Sequence, residues 1–99
     1  MEIKIIGEHL SVTDAISEYI KEKFQHLSWP YKMNYVEFRL GTMKESQYVH
    51  FHARCLKEEI ILKADNRNLY QAIDQIMTKI QRSFVKNKEK TGVHLLKTL

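Results

Sequence analysis

The chain has 99 residues, of which 43% are hydrophobic and 28% are charged, and its formal net charge is +4. This length suffices for one domain with a single core, and the composition is typical of folded proteins rather than disordered ones. One cysteine excludes an internal disulfide framework, and no apolar run reaches the length of a transmembrane helix. The N-terminus lacks the basic region and apolar block of a signal peptide, so we expect a cytoplasmic protein.

The first part of the chain predicts a strand followed by a helix. Residues 2–7 are rich in isoleucine and close with a glycine, which is typical of a short strand. A helical pattern covers residues 14–27, where Thr13 can cap the helix and Asp14 lies where the helix dipole favours an acid. Pro30 should stop this helix, because proline disfavours helical geometry in the residue before it.

Three alternating segments follow, over residues 33–41, 47–56 and 60–64, joined by short polar turns at residues 42–46 and 57–58. Each alternates apolar and polar side chains, which predicts an antiparallel meander of three half-buried strands. The first strand should lie parallel to the second, because crossover connections are right-handed. The predicted fold is α+β in the order β-α-β-β-β-α, with a four-stranded mixed sheet and both helices on one face.

The last third of the chain predicts a long amphipathic helix. Between residues 66 and 90, apolar side chains recur at the spacing of one helix face, and neither glycine nor proline interrupts the pattern. Asn66 or Asn68 can supply the N-cap. Gly92 stands where we expect the helix to end. The prediction is therefore one domain over residues 1–92 and a loose tail over residues 93–99.

Four cations share one side of this helix. At about 100° per residue they fall within about 80° of one another, away from the apolar stripe. We name this set the cationic ridge: Lys79, Arg82, Lys86 and Lys90. Residues 67–99 carry seven Lys or Arg and two acids, a net charge of +5, whereas residues 1–66 carry a net charge of −1. Such a surface indicates a polyanionic partner, usually nucleic acid, although a merely solvated helix face is the simpler alternative.

Catalytic and metal-binding patterns are weak in this sequence. His50 and His52 alternate onto one face of a strand, but two ligands without an acid at matching spacing do not make a metal site. Cys55 alternates with apolar residues, which is typical of a buried thiol rather than a nucleophile. The three glycines form neither a phosphate-binding loop nor a nucleophile elbow. We therefore predict no enzymatic activity, no cofactor, no metal ion and no small-molecule substrate.

Two stretches of the sequence carry a family likeness. They are the opening Ile-Lys-Ile-Ile-Gly-Glu-His-Leu-Ser-Val-Thr-Asp-Ala-Ile and the run Asn68-Leu69-Tyr70-Gln71-Ala72-Ile73-Asp74, together with the spaced cations that follow this run. With the predicted element order, they resemble the bacterial ribosome hibernation promoting factors, also called ribosome-associated inhibitor A. The resemblance covers nearly the whole chain.

This resemblance implies a protein that docks on 16S rRNA of the small ribosomal subunit, over the A and P sites, and blocks tRNA and mRNA. It would promote ribosome hibernation under stress or in stationary phase. The short form of the family is implied, which would act with a separate ribosome modulation factor. Ser83, Asn87 and His26 depart from the Gln, His and Lys common in the family. Six basic residues match the family's RNA-binding positions: Lys23, Lys79, Arg82, Lys86, Lys88 and Lys90.

Two alternatives from other classes stay open at this point. A generic double-stranded-RNA-binding module also has a three-stranded sheet and a basic helix, and it would bind any A-form duplex as well as it binds ribosomes. A protein-interaction domain with an incidental helix charge would bind its partner independently of salt.

Overall fold

The computed structural model describes the backbone of residues 2–27, 33–55 and 58–98, and the side chains of these ranges up to residue 83. The predicted stop at Pro30 and residue 57 of the predicted turn at residues 57–58 lie outside the described residues, whereas Glu58 of that turn is already the first residue of a strand. The elements are β1 (Ile3–Glu8), α1 (Asp14–Gln25), β2 (Tyr35–Thr42), β3 (Gln47–Cys55), β4 (Glu58–Asn66) and α2 (Leu69–Thr98). The predicted order and the α+β class are confirmed.

The four strands form one mixed sheet in the order β1-β2-β3-β4. β1 pairs parallel with β2, which places Ile5 opposite Phe38. The other two pairings are antiparallel, with Phe38 opposite Phe51 and Phe51 opposite Leu62. The parallel pairing needs a long crossover, which α1 provides, whereas a short hairpin joins β2 to β3. The predicted sheet topology is confirmed.

The core lies between one face of this sheet and the two helices. Phe24 of α1 packs against Phe38 and Phe51, with ring centroids 5.4 and 5.7 Å away. Among its described side chains, α2 contributes six buried apolar residues to the same core, namely Leu69, Ala72, Ile73, Ile76, Met77 and Ile80. Burying each large apolar side chain stabilises the fold by about 1.5–3 kcal/mol. Both helices therefore lie on one face, as predicted.

Side-chain caps set where each helix begins. The Thr13 hydroxyl accepts a hydrogen bond from a first-turn N–H of α1 at 3.2 Å. The Asn68 side-chain oxygen accepts from the N–H groups of Tyr70 and Gln71, at 2.9 and 3.4 Å. The Asn66 oxygen instead accepts from the N–H of Asn68 at 3.0 Å. Of the two asparagines that the sequence offered, Asn68 is thus the cap of α2.

The helix ends differ from the prediction. α1 ends at Gln25, two residues before the predicted end, and α2 continues through Gly92 to Thr98. The predicted end of α2 at Gly92 is therefore wrong. A glycine inside a helix costs about 1 kcal/mol relative to alanine but keeps its N–H, and no proline follows it. The domain limit at residue 92 and the looseness of the tail stay predictions.

The second face of the sheet carries polar side chains that bond to one another. Glu37 is only 5% exposed, although the alternation predicts an exposed position. Its carboxylate accepts hydrogen bonds from the Tyr35 hydroxyl at 2.5 Å and from Arg39 Nε at 2.8 Å. Glu8 accepts from the Tyr48 hydroxyl at 2.9 Å and lies 3.5 Å from Arg39. These bonds join three neighbouring strands across the face.

Candidate nucleic-acid interface

The buried stripe of α2 determines which way the cationic ridge points. Ile76 and Ile80 are fully buried and Met77 is 6% exposed, whereas Lys79 and Arg82 lie on the exposed side of the helix. Turning the helix about its axis would expose this apolar stripe to water, which is unfavourable. Hydrophobic burial therefore fixes the outward direction of Lys79 and Arg82.

Lys79 also ties α2 to the edge of the sheet. Its Nζ donates a hydrogen bond to the backbone carbonyl of Lys63 in β4 at 2.5 Å. An ammonium group has three N–H donors, so this bond leaves two for a ligand. Lys79 is thus held in place and can still bind a phosphate.

Of the two ridge residues whose side chains are described, Arg82 is the one without a described polar partner. No described residue forms a hydrogen bond or ion pair with its guanidinium group. Beside it, a shallow open groove between α2 and β4 is lined by Ala64, Asp65, Gln75, Thr78, Lys79 and Arg82. A planar fork of five N–H donors matches the geometry of a phosphate group. Lys79 and Arg82 therefore present charge and donor geometry that suit contact with a phosphate group.

Lys86, Lys88 and Lys90 lie within α2, but their side chains are outside the described residues. From Lys79 to Lys90 the helix advances eleven residues, which is about 16 Å. That length would meet several phosphates. Their contacts with RNA stay a prediction.

Lys23 lies on the other helix, in the last turn of α1. Its Nζ is 5.4 Å from the centre of the Tyr19 ring, within the range of a cation–π interaction. Tyr19 in turn contacts α2 at Asp74, about 140° around the helix from Lys79. The structure thus does not bring Lys23 together with Lys79 and Arg82, and the cations flank α2 from two sides.

The sequence did not predict a cluster of side chains that joins α1 to α2. The Tyr19 hydroxyl donates to Asp74 Oδ1 at 2.6 Å, and the Tyr19 and Tyr70 rings meet edge to face with centroids 4.9 Å apart. The hydrogen bond to Asp74, followed by burial, raises the pKa of Tyr19 to about 12, so the phenol stays protonated. The available signal was the four-residue spacing of Tyr19 with Lys23 and of Tyr70 with Asp74, which places each pair on one helix side.

The histidines and the cysteine lie elsewhere. Cys55 is 7% exposed, and burial raises the pKa of its thiol, as expected for an inert buried cysteine. His50 lies between Arg39 and Lys63 on the neighbouring strands, and burial together with the charge of Lys63 lowers its pKa. The described ranges contain no group of three His, Cys, Asp or Glu that could bind a metal ion. Within the same ranges, no helix has the length and apolar character needed to cross a membrane.

Comparison with known proteins shows the family to which this chain belongs. The family model described as Sigma 54 modulation protein / S30EA ribosomal protein matches residues 3–91. The chain belongs to this family. The ribosome hibernation promoting factor of Azotobacter vinelandii is 30% identical over 91% of this chain and 85% of that protein. The factor of Escherichia coli (strain K12) is 27% identical, over 95% of this chain and 100% of that protein.

Two solved structures share the fold. A ribosomal subunit interface protein from Coxiella burnetii superposes with a TM-score of 0.85 at 19% identity, over 90% of this chain and 99% of that one. The N-terminal domain of Thermus thermophilus Protein Y gives a TM-score of 0.65 at 22% identity, over 83% of this chain and 98% of that domain. At such low identities the likeness concerns the fold alone.

Family membership fixes the broad class of activity. The resemblance inferred from the sequence is confirmed, and the protein takes part in ribosome hibernation and ribosome-associated regulation of translation. Members of the family are not enzymes, in agreement with the prediction. The exposed cations Lys79 and Arg82 fit this class.

Proposed function

We propose that this protein docks in the decoding channel of the small ribosomal subunit, over the A and P sites. There it contacts 16S rRNA and occupies the space of tRNA and mRNA, which blocks translation and promotes hibernation under stress or in stationary phase. A separate ribosome modulation factor would act with it in the cytoplasm. The mechanism is steric occlusion and requires no bond to be made or broken.

The observation that carries the proposal is the fixed outward direction of Lys79 and Arg82. Both belong to a helix whose opposite side is buried, and no described residue pairs with the Arg82 guanidinium. The Lys79 side chain, already bonded to β4, loses little further conformational freedom when it binds, and the Arg82 guanidinium has no described partner to give up. Contacts of Lys and Arg with phosphates recognise charge and shape and carry little base-sequence information.

The positions of the cations favour folded rRNA as the ligand. The proposed RNA-binding residues are Lys79, Arg82, Lys86, Lys88 and Lys90 on α2 and Lys23 on α1. Lys23 approaches α2 from the side of α1, whereas Lys79 contacts β4 on another side. A ligand that meets both must offer phosphates around the helix. A cleft in a folded RNA does so, whereas one face of a straight duplex does not.

Sedimentation with isolated small subunits tests the proposal. We expect binding that resists an excess of RNA duplex of about 16 base pairs, the length that a double-stranded-RNA-binding domain spans. With about four or five phosphate contacts, log K should fall against log salt with a slope of about −3 to −4. If the duplex instead displaces the protein from the subunits, a generic RNA-binding module is supported. Binding without salt dependence would support a protein partner.

A further inference from the structure

Tyr19 lies between a cation on its own helix and a carboxylate on the next. The Lys23 ammonium is 5.4 Å from the centre of its ring, while its hydroxyl donates to Asp74 at 2.6 Å. No ion pair joins Lys23 to Asp74 among the described residues. Tyr19 thus contacts the cation with its ring and the carboxylate with its hydroxyl.

The neighbours of Tyr19 hold it in this position. The edge-to-face contact with Tyr70, at 4.9 Å between ring centres, restricts the ring from the side of α2. Asp74 is the one acid of α2 whose side chain the structure describes. A free carboxylate here could attract the Lys23 ammonium, and a lysine paired with it would offer less to a phosphate.

We propose that Tyr19 is a positioning residue for RNA binding. Its hydroxyl donates a hydrogen bond to Asp74 and its ring holds Lys23 by a cation–π interaction, so that Lys23 does not pair with Asp74 and stays available to a phosphate. This role rests on the proposed docking on rRNA. Tyr19 itself need not touch the RNA, because it acts through the two charged groups. Tyr70 supports it by fixing the ring.

The test uses small-subunit binding across a salt series with the full chain. Tyr19→Phe keeps the ring, its contact with Tyr70 and the cation–π interaction, and it removes only the hydroxyl. Asp74 then loses its donor and can pair with Lys23. We expect affinity to fall by about three- to tenfold and the slope of log K against log salt to become shallower by about one, as for Lys23→Gln.

A rescue variant separates positioning from packing between the helices. In the double variant Tyr19→Phe with Asp74→Asn, no carboxylate is left to capture Lys23, so binding should return to within about twofold of the unchanged protein. If the hydroxyl served only to join α1 to α2, the double variant would bind no better than Tyr19→Phe. That result would overturn the inference, as would a Tyr19→Phe variant with unchanged affinity and slope.

Tyr48→Phe is the matched control. Tyr48 also donates its hydroxyl to a carboxylate, that of Glu8 at 2.9 Å, but on the sheet face away from the helices. The Tyr48→Phe variant should bind subunits like the unchanged protein, and circular dichroism should show that every variant is folded. If the unchanged protein itself fails to bind subunits at low salt, the docking proposal fails, and the role of Tyr19 with it. If the unchanged protein binds but the Tyr19 variants do not show the expected changes, only the role of Tyr19 is overturned and the docking proposal stands.

Discussion

Among single residues, Glu37 is the charged group that the fold buries most completely in the described ranges. Burial alone would raise the pKa of its carboxyl group. Hydrogen bonds from Tyr35 and Arg39, together with the charges of Arg39 and Lys4, outweigh burial and lower the pKa below its ordinary value of 4.5. The ionised form is therefore the one that the folded protein stabilises.

This depressed pKa predicts acid sensitivity. Because the folded pKa of Glu37 lies below the unfolded one, its contribution to stability is present above about pH 4.5 and is lost as the pH falls through the folded value. Glu37→Gln should therefore lower the free energy of unfolding at neutral pH and flatten its decline in acid. Urea unfolding between about pH 6 and pH 3 measures this.

Glu59→Gln is the control for that experiment. The pKa of Glu59 is also lowered, chiefly by the hydrogen bond from Arg54, but both side chains are about half exposed. Water screens such a pair, so this variant should change the pH dependence less than Glu37→Gln does. Equal curves for Glu37→Gln and the unchanged protein would contradict the role given to Glu37.

Two glycines permit close approaches of different kinds. A methyl group at Gly7 would lie 1.9 Å from the backbone carbonyl oxygen of Leu10, whereas one at Gly41 would lie 2.2 Å from the end of the Tyr48 ring. The ring can swing aside, but the backbone cannot. Gly7→Ala should therefore destabilise the protein by about 1–3 kcal/mol and Gly41→Ala by less. Thermal unfolding of both variants compares them, and the reverse order would refute the explanation.

At the level of elements, burial periodicity made the strands and helices predictable. A strand with one buried face must alternate, and a helix with one buried side must repeat its apolar residues every three or four positions. The helix ends depend on energies smaller than those of burial. This is why the end of α2 was predicted wrongly at Gly92. The caps at Thr13 and Asn68 could be foreseen, because their side chains act on neighbouring N–H groups.

The Asn68 cap can be tested separately from RNA binding. Asn68→Ala removes an acceptor from two N–H groups at the start of α2 and should cost about 1 kcal/mol of stability. Asn66→Ala removes an acceptor from only one and should cost less. Urea unfolding gives both values. Because neither residue is cationic, the salt slope of subunit binding should stay unchanged in both variants.

For the whole molecule, the sequence predicted the fold, the family and the exposed direction of Lys79 and Arg82. It did not predict the bonds that depend on distant parts of the chain. The burial of Glu37 requires the register of neighbouring strands, and the hydrogen bond from Tyr19 to Asp74 joins residues 55 positions apart. Such contacts follow from packing, which local periodicity does not specify.

α2 dominates the shape of the molecule. Its 30 residues span about 45 Å, close to the longest dimension of 47 Å. The stretch of α2 that carries the cationic ridge therefore lies along the long axis. We expect the molecule to bind RNA along this axis, with α2 towards the rRNA and the polar face of the sheet turned away.

The measurement that tests this account most directly compares two triple variants in small-subunit sedimentation. One replaces Lys79, Arg82 and Lys86 with glutamine. The other replaces Lys4, Lys44 and Lys63, three exposed lysines outside α2, and lowers the net charge by the same amount. Docking through the ridge predicts that the first variant loses binding while folded and that the second keeps it. Equal binding by both would contradict the account, since affinity would then follow net charge or a different surface.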